Sequence, residues 1–188
     1  MQKLLVFNSV SIDGYFASTD NDLTWSHNPV KDPEWVAYVS GNASAGGTLL
    51  FGRITYELMA SFWPTTEAAA SFPVIAEGMN RMKKIVVSKT FDSLAWENSE
   101  LMKGELIPNV KSLKEQSGNG IAILGSGKIT AQLAEAGLID EYQLVVNPIV
   151  LGSGRTMFEG LSSKLPLRLT STRKFENGNV LLCYELPK

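Results

Sequence analysis

The sequence predicts an α/β fold: a mixed, mainly parallel sheet flanked by helices and completed by a C-terminal antiparallel hairpin. Two patterns support this prediction. Short apolar runs alternate with amphipathic helical segments through the first three quarters of the chain, as in folds built on a parallel sheet. Two alternating strands then occupy Leu167–Leu186, and the dipeptide Asn177-Gly178 that joins them favours a hairpin turn.

The first half contains two predicted strands, each followed by a helix. The apolar segment Leu4–Val10 is the first strand, and a turn-rich loop follows it. The segment Asp32–Ser40 predicts a helix, because its aspartate can cap the first turn and a proline suits the first helical position. A second buried strand, Gly46–Gly52, leads into the helical segment Arg53–Phe62, whose apolar residues share one face.

The second half continues the alternation of buried strands and helices. In chain order, its elements before the hairpin are strand Lys83–Thr90, a shorter strand around Leu94–Trp96, helix Asn109–Gly120, strand Gly120–Gly125, a helix that stops near Gly137, and a long strand within Asp140–Gly154. No internal repeat or linker interrupts this order. We therefore expect a single domain over residues 1–188.

Composition narrows the classes of partner. Of the 188 residues, 44% are apolar and 19% are charged, with a formal net charge of -2. This composition suits a sizeable core and gives no global attraction to nucleic acid or to an anionic membrane. The first apolar run, Leu4–Phe7, is too short for a signal-peptide core or a membrane span. We expect a cytoplasmic protein whose partner is a small molecule.

Few side chains could support metal or nucleophilic chemistry. The chain has one cysteine, Cys183, and one histidine, His27. Cys183 lies in an alternating apolar run, which indicates a core residue. A zinc site built from His and Cys clusters is excluded, and a Ser-His-Asp or Cys-His enzyme would depend on His27 in a loop. We expect no metal, and a cofactor that carries the reaction if the protein is an enzyme.

Three predicted strand ends carry residues that favour anions. They are Phe51–Thr55, Val87–Thr90 and Leu124–Thr130. In open α/β sheets, ligands bind beyond the carboxyl ends of the parallel strands. Three such ends suit a dinucleotide, with two for its diphosphate and one for an additional phosphate.

The turn Gly125-Ser126-Gly127 stands where a strand ends and a helix begins. Its glycines allow close backbone approach, the N–H groups of the first helical turn carry partial positive charge, and Ser126 is placed to cap that helix. It is not a P-loop, because Ile129 follows Lys128, and it lacks the third glycine of the dinucleotide fingerprint. The alternative is an ordinary tight connection.

The other two strand ends offer cations and hydroxyl groups. Arg53 lies in a first helical turn, where a cation opposes the helix dipole unless an anion binds there. Ser88 and Lys89 suit a phosphate monoester such as the 2'-phosphate of an NADP ribose. The alternative for Arg53 is an exposed surface residue, and Ser-Lys pairs such as Ser88-Lys89 are common in themselves.

These pieces, in this order, resemble the dihydrofolate reductase-like superfamily. The closer resemblance is to the group related to the reductase (RibD C-terminal) domain of bacterial riboflavin biosynthesis. It covers nearly the whole chain and is carried by NSVSIDGYFA, LLFGRITYE, KIVVSKT, the segment from AILGSGKIT to VLGSGRTMF, and the closing hairpin. The most specific part is GLIDEYQLVVNPIVLGSG.

The resemblance implies a dihydrofolate reductase-like fold that binds NADPH without a Rossmann fingerprint. By motif position, it assigns Gly52, Arg53 and Thr55 to the cofactor phosphates, Ser88 and Lys89 to the 2'-phosphate, Gly125, Ser126, Gly127, Lys128 and Ile129 to the diphosphate and nicotinamide side, Ser9, Phe16 and Ala17 to the nicotinamide pocket, and Gly154 and Thr156 to a late loop.

The substrate side matches the family less well. Folate reductases place an acid in the second helix, and here only Asp32 or Glu34 approximates that position. The candidates for substrate contact are Asp13, Trp25, Glu34 and Tyr56. The alternatives are that Asp13 braces the turn before Gly14 and that the aromatic residues, Trp35 and Trp63 among them, belong to the core. No companion deaminase domain is expected, because its zinc ligands are missing.

The leading hypothesis is an NADPH-dependent reductase that transfers a hydride to a small heterocyclic, carbonyl or imine substrate, with its catalytic residues unassigned. One alternative is a non-catalytic NADP(H)-binding or sensor protein that has kept the fold. Another is a phosphate-ligand binder with no dinucleotide preference. A further hypothesis is a homodimer, formed through the long strand within Asp140–Gly154 and the final hairpin. The alternative is that these strands are simply the interior of one sheet.

Overall fold

The protein is built around an eight-stranded sheet, as a computed structural model of residues 1–187 shows. The strands are β1 (Leu4–Val10), β2 (Tyr15–Ala17), β3 (Thr48–Gly52), β4 (Lys83–Val87), β5 (Ser99–Met102), β6 (Ile121–Leu124), β7 (Glu141–Val146), β8 (Arg155–Thr156), β9 (Arg168–Lys174) and β10 (Val180–Glu185). The helices are α1 (Pro33–Ala45), α2 (Arg53–Phe62), α3 (Thr66–Ser71), α4 (Pro73–Arg81), α5 (Leu106–Glu115) and α6 (Gly127–Glu135), with a 3-10 turn at Thr24–Ser26.

The strand order is β5-β4-β3-β6-β1-β7-β10-β9, and β2 pairs with β8 in a separate two-stranded sheet. All pairs from β5 to β7 are parallel, whereas β10 is antiparallel to both β7 and β9. The predicted fold class, with its C-terminal hairpin, is confirmed. Because β4, β3, β6, β1 and β7 are parallel neighbours, their carboxyl ends lie along one edge of the sheet.

One face of the sheet packs against α5 and α6. Alternate residues of β1, Leu4, Val6 and Val10, point to this side and are almost fully buried. Helix α5 contributes Val110 and Leu113, and α6 contributes residues such as Leu133. Helix α6 therefore covers the face opposite to the one covered by α1 and α2.

The other face has two separate apolar clusters. Phe51 and Val86 pack with Tyr56 of α2 and Met79 of α4 above β3 and β4. A second cluster lies above β7 and β10 and consists of Val145, Phe175, Leu181 and Cys183, against which Phe7 of β1 and Trp35 and Tyr38 of α1 pack. Cys183 is buried and free, as predicted. The carboxyl ends of β1 and β6 lie between the two clusters.

Several predicted boundaries are wrong. The segment around Leu94–Trp96 is not a strand, because Trp96 packs on Phe51 with ring centroids 6.2 Å apart and its backbone N–H donates to Tyr56 Oη. The strand at this edge is β5, a few residues later. The long strand expected within 140–154 ends at Val146, and helices α3 and α4 were not expected. Helix α3 is capped by Thr65, and a proline begins α4.

Strand β7 lies between β1 and β10, in the interior of the sheet, whereas β9 forms one edge and is exposed along its length. The homodimer hypothesis stays a prediction. Within residues 1–187, none of the helices is both long enough and apolar enough to cross a bilayer.

Lys84 of β4 is a fully buried charge, with 0% exposure. Its Nζ donates to the carbonyl oxygens of Asn80, at 2.8 Å, and Glu97, at 2.9 Å, and lies 4.4 Å from the centroid of the Trp96 ring. Asn80 is in the last turn of α4, where a cation is favoured by the helix dipole. Burial nevertheless lowers the pKa of Lys84 from 10.5 to about 8.

The pH dependence of folding tests this burial. Between pH 8 and 10.5 the unfolded chain binds more protons at Lys84 than the folded chain, so the free energy of unfolding should rise with pH in this interval. The rise is at most about 1.4 kcal/mol per pH unit. Urea unfolding from about pH 8 to about pH 9.5 should show it in wild type and not in Lys84→Met. Lys83→Met, which removes an exposed lysine paired with Glu100, is the control and should keep the wild-type slope. Equal slopes in wild type and Lys84→Met would contradict the prediction.

Candidate functional site

The three loops singled out by the sequence lie side by side at one edge of the sheet. They follow β4, β3 and β6, which are consecutive strands in the parallel part of the sheet. We call this set the rim. It consists of Ser88 and Lys89 after β4, Gly52 and Arg53 where β3 ends and α2 begins, and Gly125, Ser126, Gly127 and Lys128 after β6. The rim brings together residues from positions far apart in the chain.

The turn after β6 has an unusual backbone. Gly125 and Ser126 are both left-handed, with φ of 59° and 57°. A Cβ on Gly125 would lie 2.8 Å from Thr55 Oγ1, so the position requires glycine for two independent reasons. Ser126 adopts a conformation that costs a non-glycine residue about 1–2 kcal/mol. A strained serine in a loop indicates that other contacts fix the conformation of that loop.

Those contacts are hydroxyl groups that join β3 to β6. The Gly52 N–H donates to Ser126 Oγ at 2.8 Å, and the Ser126 hydroxyl donates to Thr55 Oγ1 at 3.0 Å. The Ser126 N–H donates to the same Thr55 oxygen at 3.1 Å. The expectation that Ser126 caps α6 is wrong, because its hydroxyl is directed sideways to β3 instead of to the helix. The two strand ends therefore form one unit.

Both helices that start at this unit lack a side-chain cap. Helix α2 begins after Gly52 and helix α6 after Ser126, and in neither helix does the side chain of this preceding residue cap the first turn. By contrast, Asp32 caps α1, with Oδ1 accepting from the N–H groups of Glu34 and Trp35. The first-turn N–H groups of an uncapped helix remain free and carry partial positive charge. Two such helix starts lie at neighbouring strand ends.

Three cations flank these helix starts. Arg53 is 45% exposed and pairs with Glu57 one turn later at 2.8 Å, an exposed pair of a kind that contributes only about 0.3–0.5 kcal/mol. Lys128 and Lys89 are exposed. Ser88 Oγ accepts from the N–H groups of Thr90 and Phe91, which shapes the turn that carries Lys89. The rim is therefore electropositive and solvent-accessible.

The residues assigned to the nicotinamide side form a second group beside the β6 turn. Phe16 and Ala17 are buried in β2, and Thr156 pairs with β2 from β8. A Cβ on Gly127 would lie 3.0 Å from the Phe16 ring, and one on Gly154 would lie 2.5 Å from the Ala17 carbonyl oxygen. Gly127 thus allows the two-stranded sheet to approach the start of α6, and Gly154 allows the loop before β8 to approach β2. Ile129 of α6 is buried in the adjoining core.

We call the strip of sheet between α1 and α2, beside this group, the crevice. Near its C-terminus α1 touches α4, where a Cβ on Gly78 would lie 2.5 Å from the carbonyl oxygen of Ala43. Helices α1 and α2 pack on different strands, since α1 packs over β7 and β10 whereas α2 packs over β3 and β4. Half-buried Phe7 and Ser9 of β1 and Leu124 of β6 form the floor between them.

The two carboxylates considered for substrate contact are already engaged. Asp13 accepts hydrogen bonds from the Ser11 hydroxyl at 2.6 Å and from the N–H groups of Leu151 and Gly152. The bond from Ser11 is the main cause that lowers the pKa of Asp13. Glu34 forms an ion pair with Arg173. Asp13 thus braces two loops, which agrees with the alternative considered for it.

The two aromatic candidates also have structural partners. Tyr56 is 5% exposed and lies in the core above β3 and β4, so it does not line the crevice. Trp25 is half-buried in the 3-10 turn, and its Nε1 donates to the Asp22 carbonyl oxygen at 3.2 Å. The aromatic side chains nearest the crevice floor are instead Trp35 and Tyr38 of α1, in the cluster that includes Phe7.

Asn8 is not among the residues that the sequence patterns predict for this site. This residue lies in the middle of β1, is 6% exposed, and contacts both the N–H and the carbonyl oxygen of Gly125. A polar residue among the buried alternate positions of β1 is the signal that could have revealed it.

With this geometry established, the chain can be compared with known proteins. The sequence pattern of the RibD C-terminal domain matches residues 2–181. The chain belongs to the RibD C-terminal domain family. Among relatives of this family member, the uncharacterized protein YyaP of Bacillus subtilis (strain 168) is 23% identical over 184 residues, which cover 97% of this chain and 94% of YyaP.

Solved structures confirm the dihydrofolate reductase-like fold. A putative riboflavin biosynthesis protein from Shewanella sp. PV-4 superimposes with a TM-score of 0.74 at 24% identity, covering 100% of both chains. Dihydrofolate reductase from Enterococcus faecalis, in complex with NADP(H) and RAB-propyl, superimposes with a TM-score of 0.60 at 15% identity, covering 99% of this chain and 97% of that one. The RibD C-terminal domain protein described here therefore shares its fold with both of these proteins.

Substitution of Gly125 tests the crowding at the β6 turn. We expect Gly125→Ala to lower the free energy of unfolding by about 2–4 kcal/mol, because a left-handed backbone and a 2.8 Å contact with Thr55 Oγ1 both oppose the methyl group. Gly137→Ala is the matched control, since Gly137 has a similar φ of 63° and open space around it. The control should cost only about 1 kcal/mol. Equal losses in urea unfolding would show that Thr55 does not crowd the turn.

Proposed function

We propose that the protein is an NADPH-dependent reductase of a small molecule. The observation that carries this proposal is the pair of uncapped helix starts, α2 and α6, joined by hydroxyl groups at neighbouring strand ends and flanked by cations. A diphosphate requires several fixed hydrogen-bond donors at short spacing, and helix starts supply them. Family membership and the fold shared with an NADP(H)-binding reductase support the same conclusion.

The residues of the rim fit the anionic groups of NADPH. The backbone of Gly127 and Lys128, at the start of α6, would donate to the diphosphate, and so would the start of α2 at Arg53. The arginine is free to turn from Glu57 to a phosphate, because its present ion pair is weak and the new bonds would be charge-assisted. Gly127 packs directly against the Phe16 ring, which would place the proposed nicotinamide pocket beside the start of α6.

The turn after β4 would bind the 2'-phosphate that distinguishes NADPH from NADH. Ser88 and Lys89 directly follow β4, the strand next to β3, and so lie one strand spacing from the proposed diphosphate site. Because Ser88 Oγ already accepts two backbone N–H groups, its hydroxyl hydrogen remains directed outward or toward Thr90. Lys89 would supply most of the attraction through its charge.

The substrate would lie in the crevice between α1 and α2. Bound NADPH would supply the hydride, and the chain would orient the substrate between Phe7, Ser9 and Leu124 on the sheet and the aromatic residues of α1. The carboxylates of Asp13 and Asp32 accept backbone hydrogen bonds, and that of Glu34 forms an exposed ion pair with Arg173. We therefore assign no side chain as proton donor and expect the proton to come from solvent.

The engaged carboxylates also favour a second candidate function, a protein that binds NADP(H) without catalysis. Both candidates predict NADPH binding, and turnover separates them. Oxidation of NADPH, followed at its nicotinamide absorbance with a panel of pterins, pyrimidines, imines and quinones, would support the reductase. Binding with no oxidation across the panel would support the sensor.

A titration of cofactor fluorescence with NADPH and NADH tests the proposal. Lys89→Ala should weaken NADPH binding by about tenfold and leave NADH binding unchanged, because only NADPH carries the 2'-phosphate. Lys111→Ala removes an exposed lysine from α5, on the other side of the molecule from the proposed binding residues of α2, and serves as the control. A wild-type protein that binds neither nucleotide at millimolar concentration would overturn the proposal.

A further inference from the structure

Strand β1 carries a buried amide side chain that faces the β6 turn. Asn8 is 6% exposed and occupies the row of alternate β1 residues, Leu4, Val6 and Val10, that is otherwise apolar. Placing an amide in an apolar row is unfavourable unless both its donor and its acceptor are satisfied. Asn8 therefore has a specific partner.

That partner is the backbone of Gly125. The parallel pairing of β1 with β6 ends at Phe7 and Leu124, because the chain turns away at the next residue. Asn8 Oδ1 accepts from the Gly125 N–H, and Asn8 Nδ2 donates to the Gly125 carbonyl oxygen at 3.2 Å. The side-chain amide thus replaces the neighbouring strand that Gly125 has lost.

Asn8 also reaches the loop that covers the start of α6. Its Nδ2 lies 2.9 Å from Met157 Sδ, just after β8. The carbonyl oxygen of Met157 in turn lies 3.4 Å from the position that a Cβ on Gly127 would take. One buried amide therefore connects the central strand, the left-handed turn and the loop beside the first residue of α6.

We propose that Asn8 is a positioning residue for the diphosphate of the bound dinucleotide. It fixes the peptide groups on both sides of Gly125, and with them the direction in which the N–H groups of Gly127 and Lys128 point. The hydroxyl groups of Ser126 and Thr55 hold the turn from the side of β3, and Asn8 holds it from the side of β1. This inference rests on the proposed function.

Two ligand probes separate positioning from general stability. NADPH would use the β6 turn, whereas adenosine 2'-monophosphate, which has no diphosphate, would use only the turn at Ser88 and Lys89. We expect Asn8→Ala to weaken NADPH binding in calorimetry by about tenfold or more and to leave adenosine 2'-monophosphate binding within about twofold of wild type.

Asn147→Ala is the matched control. Asn147 is also a buried asparagine, 2% exposed, at the end of β7, and its Nδ2 donates to the Val145 carbonyl oxygen at 3.0 Å instead of to the rim. It should lower the free energy of unfolding without a specific loss of NADPH affinity. If Asn8→Ala leaves NADPH affinity unchanged, or lowers the affinity for both ligands equally, the inference is overturned. A wild-type protein that binds no NADPH would instead overturn the proposed function itself.

Asn8→Asp gives a second test that keeps the shape of the side chain. The carboxylate can accept a hydrogen bond from the Gly125 N–H, but it has no hydrogen to donate to the Gly125 carbonyl oxygen and is repelled by it. A protonated aspartic acid again has one donor and one acceptor. Burial raises the pKa of a carboxyl group, so this aspartate should become protonated as the pH falls. We therefore expect the ratio of the NADP⁺ affinity of Asn8→Asp to that of Asn8→Ala, both measured at the same pH, to increase at least about threefold from about pH 8 to about pH 5.5. Absence of this relative recovery would contradict a positioning role for the amide.

Discussion

The arrangement of the candidate site depends on the bridge between the ends of β3 and β6. Ser126 Oγ accepts from the Gly52 N–H and donates to Thr55, so the starts of α2 and α6 are held together although more than seventy residues separate them. The two helices lie on opposite faces of the sheet. Their N-termini can therefore converge only at the edge of the sheet, and the bridge fixes how closely they do so.

The bridge also explains the unusual residues around it. A hydroxyl group that would ordinarily cap α6 bonds instead to Gly52 and Thr55, which leaves the start of α6, like that of α2, without a side-chain cap. The left-handed backbone of Ser126 costs free energy, and that cost is offset by contacts from Thr55 on one side and from the Asn8–Gly125 pair on the other. Strain and unsatisfied donors in one turn are what a binding loop retains and a purely structural loop would remove.

The proposed substrate side has a different character. Its polar groups are committed to the structure: Asp13 joins two loops, and Asp32 connects α1 with the β9–β10 turn through the Asn177 N–H. What remains accessible in the crevice is a floor of apolar and hydroxyl side chains and an aromatic wall on α1. Recognition there would depend on shape and stacking more than on charge, which agrees with the weak match of Asp32 and Glu34 to the acid of folate reductases.

The sequence by itself determined the fold class, the C-terminal hairpin, the cap at Asp32, and the three loops of the rim, because each of these depends on residues that are close together in the chain. Only the tertiary structure decided which side chains those loops use. Tyr56 belongs to the core because it contacts Trp96 there. Ser126 bonds to the β3–α2 junction because Thr55 of α2 lies beside it. Asn8 supports Gly125 because β1 lies next to β6. These partners are distant in sequence, and side-chain pairing across strands follows from the order of the strands in the sheet, which local patterns do not specify.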